Sequence, residues 1–417
     1  MTEARFDLND PTVIDDPYPY YAWLREKAPV YHATSPDLWI LSRHEDVAIA
    51  VRDAKHFSSE LMAYPLRENP FNPTQQIPHR LATLLNRMPI VRTFFRTLLT
   101  SDPPHHTQLR RKVSRAFTPR RISSWEPRIR DITERLIDDI AAKPTDEQVD
   151  LVSELASPLP TVVIAEMMGI PAHRHGDFKR WSDNLVDGLL TGGNITKMLS
   201  STVQITWFFA RVVRRRRRHP GDDLISVLVG GEADVDNLTL PELINFCVLL
   251  LVAGNETTTN LVSSTMLAML NQPDIWQQIV ADPGLAAAAV EETLRYDGPG
   301  QGLLRIAITD VTIGDVTIPA GARVLPLIAS ANRDQRHWDN PDEFRLDRKG
   351  GDHLAFGTGI HFCIGSALAR MESTVAIETL ARRLPDLAIA GEPVRINSPV
   401  LRGLRALPVL PRNDRQP

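Results

Sequence analysis

The chain has very little cysteine: Cys247 and Cys363 are the only two in 417 residues. Two cysteines build neither a disulfide framework nor an iron–sulfur cluster. Nor is there an excess of charge of one sign. Forty-seven Lys and Arg stand against 51 Asp and Glu, a formal net charge of −4, so nothing in the overall balance points to nucleic acid. Long hydrophobic runs are missing too. The longest clean one, Phe246 to Ala253, falls short of the roughly 20 residues that a membrane span needs. The opening MTEARFDLNDP is polar and acidic, without the basic start and apolar stretch of a secretory signal. No G-x-G-x-x-G nucleotide loop follows a strand, and there is no internal repeat, low-complexity linker or composition break. These absences predict a soluble, cytoplasmic protein with no membrane anchor. At 43% hydrophobic and 24% charged residues, it can bury a large core.

What is present is mostly helical pattern. ESTVAIETLARRL, ending at Leu384, puts Val375, Ile377, Leu380 and Leu384 near one face. The segment from Pro127 has the same character. Leu238 to Gln272 reads as one central helix about 50 Å long, apolar nearly all round and therefore buried. Cys247 sits in its middle as a small apolar residue. Strand signals cluster in two places: a hairpin over Val30 to Ser42, and a stretch from Val311 with a Gly314-Asp315 turn between β-branched runs. The stretch from Glu60 to Ser101, with scattered prolines and a short apolar segment, reads as a lid or binding loop. Arg214 to Arg218 form a run of five arginines. They read as a solvated helix end, where cations suit the negative pole of the dipole.

The unusual element is FGTGIHFCIG, Phe356 to Gly365. Gly357, Gly359 and Gly365 surround Cys363, and His361 lies two residues before it. Glycine removes the Cβ barrier, so such a loop can turn tightly and lie flat against another body. A helix pattern begins at Ser366, whose amino-terminal dipole and free N–H groups would stabilise a thiolate. His361 is too near in sequence to be a good relay to a nucleophilic cysteine, and no second cysteine stands at zinc-ligand spacing. One thiolate without another soft ligand suits a single axial bond to haem iron.

The loop resembles the haem-binding loop of the cytochrome P-450 family, F-G-x-G-x-H-x-C-x-G, matching every defined position. AGNETTT, Ala253 to Thr259, resembles the family's oxygen-activation motif. Its glycine and threonines are poor formers in mid-helix, and a threonine hydroxyl bonding back to a preceding carbonyl is expected to open the helix there. The resemblance implies that Glu256 is the acid of a proton relay and that Thr257 is the hydroxyl holding O2 and its water. EETLR resembles the E-x-x-R pair, here Glu292 and Arg295, which holds the fold together behind the haem. The later P-x-R-F stretch reads Pro341-Asp342-Glu343-Phe344. Glutamate takes the arginine position, leaving Arg345 or Arg348 as substitutes. DPPHHTQLRRKVSRAFTP, Asp102 to Pro119, resembles the helix crossing the haem edge. His106 and Arg110 share one of its faces; Leu109, Val113 and Phe117 share another.

The resemblance runs from about Asp16 to Leu404 and implies a single domain over residues 1–417. That domain is mainly α with a small β lobe, a long central helix over the haem and the cysteine loop beneath it. It implies haem b, with Cys363 as axial thiolate and His106 (or His105), Arg110, Arg305 and His361 on the propionates. Ala253, Phe356 and Gly365 lie against the ring. The pocket would include Leu249, Ala253, Gln301, Leu303 and Leu401, mostly apolar as pockets are. Arg67, Arg80, Arg87 and Arg92 would face water or anchor a carboxylate. The implied activity is that of a bacterial-type monooxygenase, hydroxylating or epoxidising an apolar small molecule. It would be a monomer taking electrons from a ferredoxin and an NAD(P)H-dependent reductase. Arg110, Arg111, Lys112 and Arg115 would be the basic docking contacts. Peroxide-using or isomerase relatives tend to lose the acid–alcohol pair, which is present here. A non-catalytic haem protein is the remaining alternative. Terpenoid, steroid, fatty acid and polyketide substrates all stay open.

Overall fold

The structure is a computed structural model and describes residues 6–60, 96–144, 146–188, 194–230, 238–348 and 352–411. Most of the expected lid, with Arg67, Arg80, Arg87 and Arg92, lies outside these residues.

The amino-terminal third of the β lobe starts with helix α1 (Tyr18–Lys27), the hairpin β1 (Val30–Thr34) and β2 (Asp37–Leu41), helix α2 (His44–Arg52) and the short strand β3 (Phe57–Ser58). The rest of the lobe comes from far along the chain: β4 (Arg305–Ala307), β5 (Val311–Ile313), β6 (Val316–Ile318) and β7 (Arg323–Pro326). Five of these strands form a sheet in the order β1-β2-β7-β4-β3, with β2 and β7 parallel and the other pairs antiparallel. Alternation along the strands separates two small cores. Leu38, Ile40 and Leu325 pack with Tyr21 and Leu24 on one side. Leu41 and Val324 pack with Val47, Phe57 and Ile328 on the other. The predicted turn between β5 and β6 holds Gly314 at φ +56°, the left-handed conformation that a two-residue hairpin loop needs.

The helical body contains α3 (His105–Ser114), α4 (Glu126–Ala141), α5 (Pro158–Met167), α6 (His175–Val186), α7 (Ile195–Arg218), α8 (Leu240–Leu270), α9 (Ala286–Tyr296) and α10 (Ser366–Arg383). Helix α8 is the predicted central helix. Thr239 and Glu242 start it with reciprocal side-chain-to-backbone bonds, a capping box. It is long and apolar enough to cross a membrane, but its apolar side chains are the core. Leu243, Phe246 and Leu251 pack with Phe178, Trp181 and Phe209. Leu261, Met266 and Met269 pack with Ile137, Leu294, Ile377 and Leu380. Each such side chain contributes about 1.5–3 kcal/mol on burial. The expected opening at the threonines does not occur. Thr257 Oγ1 does bond back to the Ala253 carbonyl, at 2.6 Å, yet α8 runs unbroken. A carbonyl has two lone pairs and accepts the hydroxyl beside the helical amide. Helices α5, α6, α7, α9 and α10 pack along it. Phe117 also departs from expectation. It lies beyond the end of α3 and meets Phe246 edge-on at 6.1 Å.

Arg214 to Arg218 close α7 as expected, with four of the five exposed. Arg216 is the exception and pairs with Asp223 at 2.7 Å. Glu292 and Arg295 form a buried bidentate pair, at 2.7 and 2.9 Å. The third partner is Arg348, whose Nε lies 3.0 Å from both Glu292 oxygens. Arg345 turns its side chain to Asp347 and gives Glu292 only its backbone N–H, at 3.1 Å. Glu343, in the family's arginine position, supplies a carbonyl to Arg295 and Arg348.

A second buried knot joins the two ends of the chain. Asp297 accepts from Tyr18 Oη and from Arg402 Nε, and Arg402 also donates to the carbonyls of Ile14 and Asp15. Arg333 lies between the rings of Tyr18 and Tyr296, 3.5 and 3.6 Å from their centroids.

Candidate active site

The cysteine loop is shaped by its glycines. Gly357 and Gly359 both sit at φ +67°, and a Cβ on Gly359 would come within 3.2 Å of Arg52 at the end of α2. The Cys363 N–H donates to the Phe356 carbonyl at 2.9 Å and closes the loop. Arg370 covers the Phe356 ring at 4.5 Å. Gly365 is the N-cap of α10, and a Cβ there would meet nothing within 4 Å. Ile364, next to the cysteine, packs on the same core cluster as Leu249 and Val252 of α8, so loop and central helix share one core.

The helix terminus alone does not yield a thiolate. Burial pushes the Cys363 thiol up, and the Gly365 N–H and the Arg110 and Arg370 guanidiniums oppose this only in part. A metal ion that displaces the thiol proton would complete the work.

On one side of the loop lie four basic groups. His106 is buried, and neither ring nitrogen has a hydrogen-bond partner among the described residues. His105 is only partly buried, so the structure places His106 inside. Arg305, on β4, is 3% exposed; its Nη1 reaches the Leu304 carbonyl and its Nη2 has no partner among the described residues. Burial pushes Arg305 down to about 10, with Asp102 opposing. The His361 ring lies 4.3 Å from that of His106. It is pushed down to about 3 by burial and then by Arg305, His106 and Arg110. Burial also lowers Arg110, which faces Cys363. Two guanidiniums and two imidazoles crowded together, with unspent nitrogens on Arg305 and His106 among the described residues, fit a bound dianion, and the two propionates of a haem are that chemistry.

On α8, Ala253 is exposed although Leu251 and Asn255 on either side are buried. Glu256 is held above the usual carboxylate range by burial and by Asp183, against the Asn260 amide and Lys179. Gly254 has a packing reason: a Cβ there would come within 2.6 Å of Ile164 Cδ1 on α5. Asn255, between the motif's glycine and acid, lies with Oδ1 2.8 Å from Thr161 Oγ1 and donates from Nδ2 to Ser182 Oγ at 3.3 Å. Sequence reasoning missed this residue; its only signal is an amide in an apolar helix.

The pocket expectations divide. Leu249 and Leu303 are partly buried and pack against core clusters. Gln301 is buried and bonded at both ends of its amide. Its Oε1 accepts from Tyr21 Oη and its Nε2 donates to the Gly298 carbonyl, both at 3.2 Å. Together with Leu401 it lines a small cavity beside Tyr21 and Arg402. The basic docking set also shrinks. Lys112 pairs with Glu242 at 3.6 Å, Arg115 donates to the Leu228 carbonyl at 2.9 Å, and only Arg111 of the four is exposed.

The glycine-shaped cysteine loop beside the Arg110, Arg305, His106 and His361 cluster, in a mainly helical body, defines a haem-thiolate protein. Comparison with known proteins agrees. A family model described as Cytochrome P450 matches residues 284–385. The chain is 38% identical over 410 residues to cytochrome P450 107B1 of Saccharopolyspora erythraea, covering 96% of each chain. It is 37% identical to the vitamin D(3) 25-hydroxylase of Pseudonocardia autotrophica, covering 97% of this chain and 96% of that one. The solved structure of CYP109Q5 from Chondromyces apiculatus superposes with a TM-score of 0.85 at 38% identity, covering 97% of each chain. The chain belongs to the cytochrome P450 family. It is a P450 monooxygenase that binds haem through a cysteine thiolate.

Proposed function

We propose that the enzyme inserts one atom of O2 into an apolar small molecule, by hydroxylation or epoxidation, using electrons from a ferredoxin and an NAD(P)H-dependent reductase. In this reading it is a cytoplasmic monomer folded as one domain over residues 1–417. The observation that carries the proposal is the intact acid–alcohol pair, Glu256 and Thr257, on the helix that shares a core with the Cys363 loop. His106, Arg110, Arg305 and His361 would hold the propionates, and Ala253, Phe356 and Gly365 would border the ring. When bound, the haem supplies reductive activation of O2. The chain's own part is to exclude water, through the apolar side chains of α8, and to deliver protons. Thr257 Oγ1 can leave the Ala253 carbonyl and turn to a water, since that carbonyl keeps its helical bond. Glu256, carrying its proton to higher pH than an ordinary carboxyl, resupplies the hydroxyl side.

The absence of a nucleotide loop and of clustered cysteines supports separate redox partners. The relatives' names support the substrate class: one is a vitamin D3 hydroxylase, CYP109E1 is seen with corticosterone and with testosterone, and PksS belongs to a polyketide synthase. The test is the difference spectrum of the dithionite-reduced protein with and without carbon monoxide. A thiolate-type red-shifted Soret band, lost in Cys363→Ser, is expected. Haem retained without that band in the wild type would overturn the thiolate assignment to Cys363. Spin-state titration with corticosterone, and NADH use with a surrogate ferredoxin, then test substrate and electron source.

A further inference from the structure

Asp102 is the unabsorbed residue of the helix-α3 segment. One of its carboxylate oxygens accepts from Ser58 Oγ and the other from the Ser59 N–H, the latter at 2.9 Å. Its backbone carbonyl accepts from the His106 N–H, also at 2.9 Å, at the start of α3. Ser58 ends β3 and pairs with Ile306, the neighbour of Arg305 on β4. Ser59 Oγ lies 3.1 Å from His361 Nε2. One residue thus touches the helix of His106 and Arg110 and the strand beside Arg305, and through Ser59 it reaches the cysteine loop.

The charge makes the arrangement informative. Asp102 stands close enough to Arg305 and His106 to act on both. A free carboxylate there would pair with them. Its oxygens bond to Ser58 and Ser59 instead, and among the described residues the Arg305 Nη2 and the His106 ring nitrogens stay unspent. We infer that Asp102 is a positioning residue: its clip to Ser58 and Ser59 fixes the spacing of the propionate-binding groups and keeps the protein's own carboxylate off them. This rests on the propionate reading above.

The test uses the haem-loaded protein and measures haem transfer to excess apomyoglobin, with the reduction potential as a second readout. Arg305→Ala is the control for the propionate reading and is expected to speed haem loss. Asp102→Ala is expected to speed it about tenfold, the lower end for groups that orient a cofactor's ligands. Ser58→Ala should do so less, and the double variant should be no faster than Asp102→Ala alone, because one bond is shared. Asp102→Asn keeps an acceptor for the Ser59 N–H and an amide facing Ser58. It should hold haem near the wild-type rate while its potential shifts with the lost charge. If Asn releases haem as fast as Ala, charge and not the clip acts, and the inference fails. Independent, multiplying effects of Asp102→Ala and Ser58→Ala also overturn it. If Asp102→Ala does not fold, Ser58→Ala alone decides: wild-type haem retention sinks the clip. Fast loss in Arg305→Ala with wild-type retention in the Asp102 and Ser58 variants refutes the clip and leaves the propionate reading standing. Wild-type retention in Arg305→Ala refutes that reading itself.

Discussion

Asn255 Oδ1 and Thr161 Oγ1 lie 2.8 Å apart, joining the central helix α8 to α5 inside the core. The Thr161 hydroxyl is equally close to the Ser157 carbonyl, so its proton is shared. Each residue along a helix turns by about 100°, so fixing Asn255 also fixes the direction of Glu256 and Thr257. Asn255→Ala should lower unfolding stability by about 1–3 kcal/mol, the cost of stranding buried polar partners. Urea denaturation measures this. Product formed per NADH should fall as well. Full stability and full coupling together would show that Asn255 anchors nothing.

The raised Glu256 carboxyl predicts a pH dependence. Its folded value lies above the ordinary one, so the acid form persists to higher pH and is lost as pH rises through the folded value. Product formation that uses this proton should therefore decline on the alkaline side. Glu256→Gln should lower the rate by about a hundredfold and abolish that limb. A Gln variant with the wild-type pH profile would place the proton donor elsewhere.

Glu372, on α10, is 1% exposed, and neither carboxylate oxygen has a partner among the described residues. Burial pushes it up to about 8 from an ordinary value of 4.5. The folded state therefore binds this proton more tightly than the unfolded chain. The contribution of Glu372 to stability is fullest below pH 4.5 and is lost as pH rises toward and through 8. The loss is on the order of a few kcal/mol. Glu372→Gln removes the titration, so it should stabilise the protein at pH 8 and change little at pH 5. Equal effects at both values would mean that the carboxyl is ionised throughout.

Local chemistry was legible in the sequence and non-local choice was not. The apolar stretch around Phe246 to Ala253, the Gly314 turn and the glycines around Cys363 are each patterns of neighbouring residues. The pattern therefore located α8, the β5–β6 hairpin and the cysteine loop. Arg345 and Arg348 are both long and both near in sequence to the Glu292 partner region. Only the path of the backbone after Pro341 turns one to Asp347 and the other to Glu292. Gln301 stands among apolar neighbours, but a tyrosine 280 residues away takes its amide. The Asp102–Ser58 bond spans 44 residues and the Ser59–His361 contact 302, separations over which a single sequence carries no signal.

The knot of Tyr18, Asp297 and Arg402 has a consequence for biosynthesis. Arg402 reaches back 388 residues to the Ile14 carbonyl. At roughly 5–20 residues per second, the ribosome releases Arg402 about 20–80 s after Ile14. For that interval the Ile14 and Asp15 carbonyls have no Arg402 side chain to meet. The segment around Ile14 and Asp15 therefore receives its Arg402 bonds only after most of the intervening chain has been made.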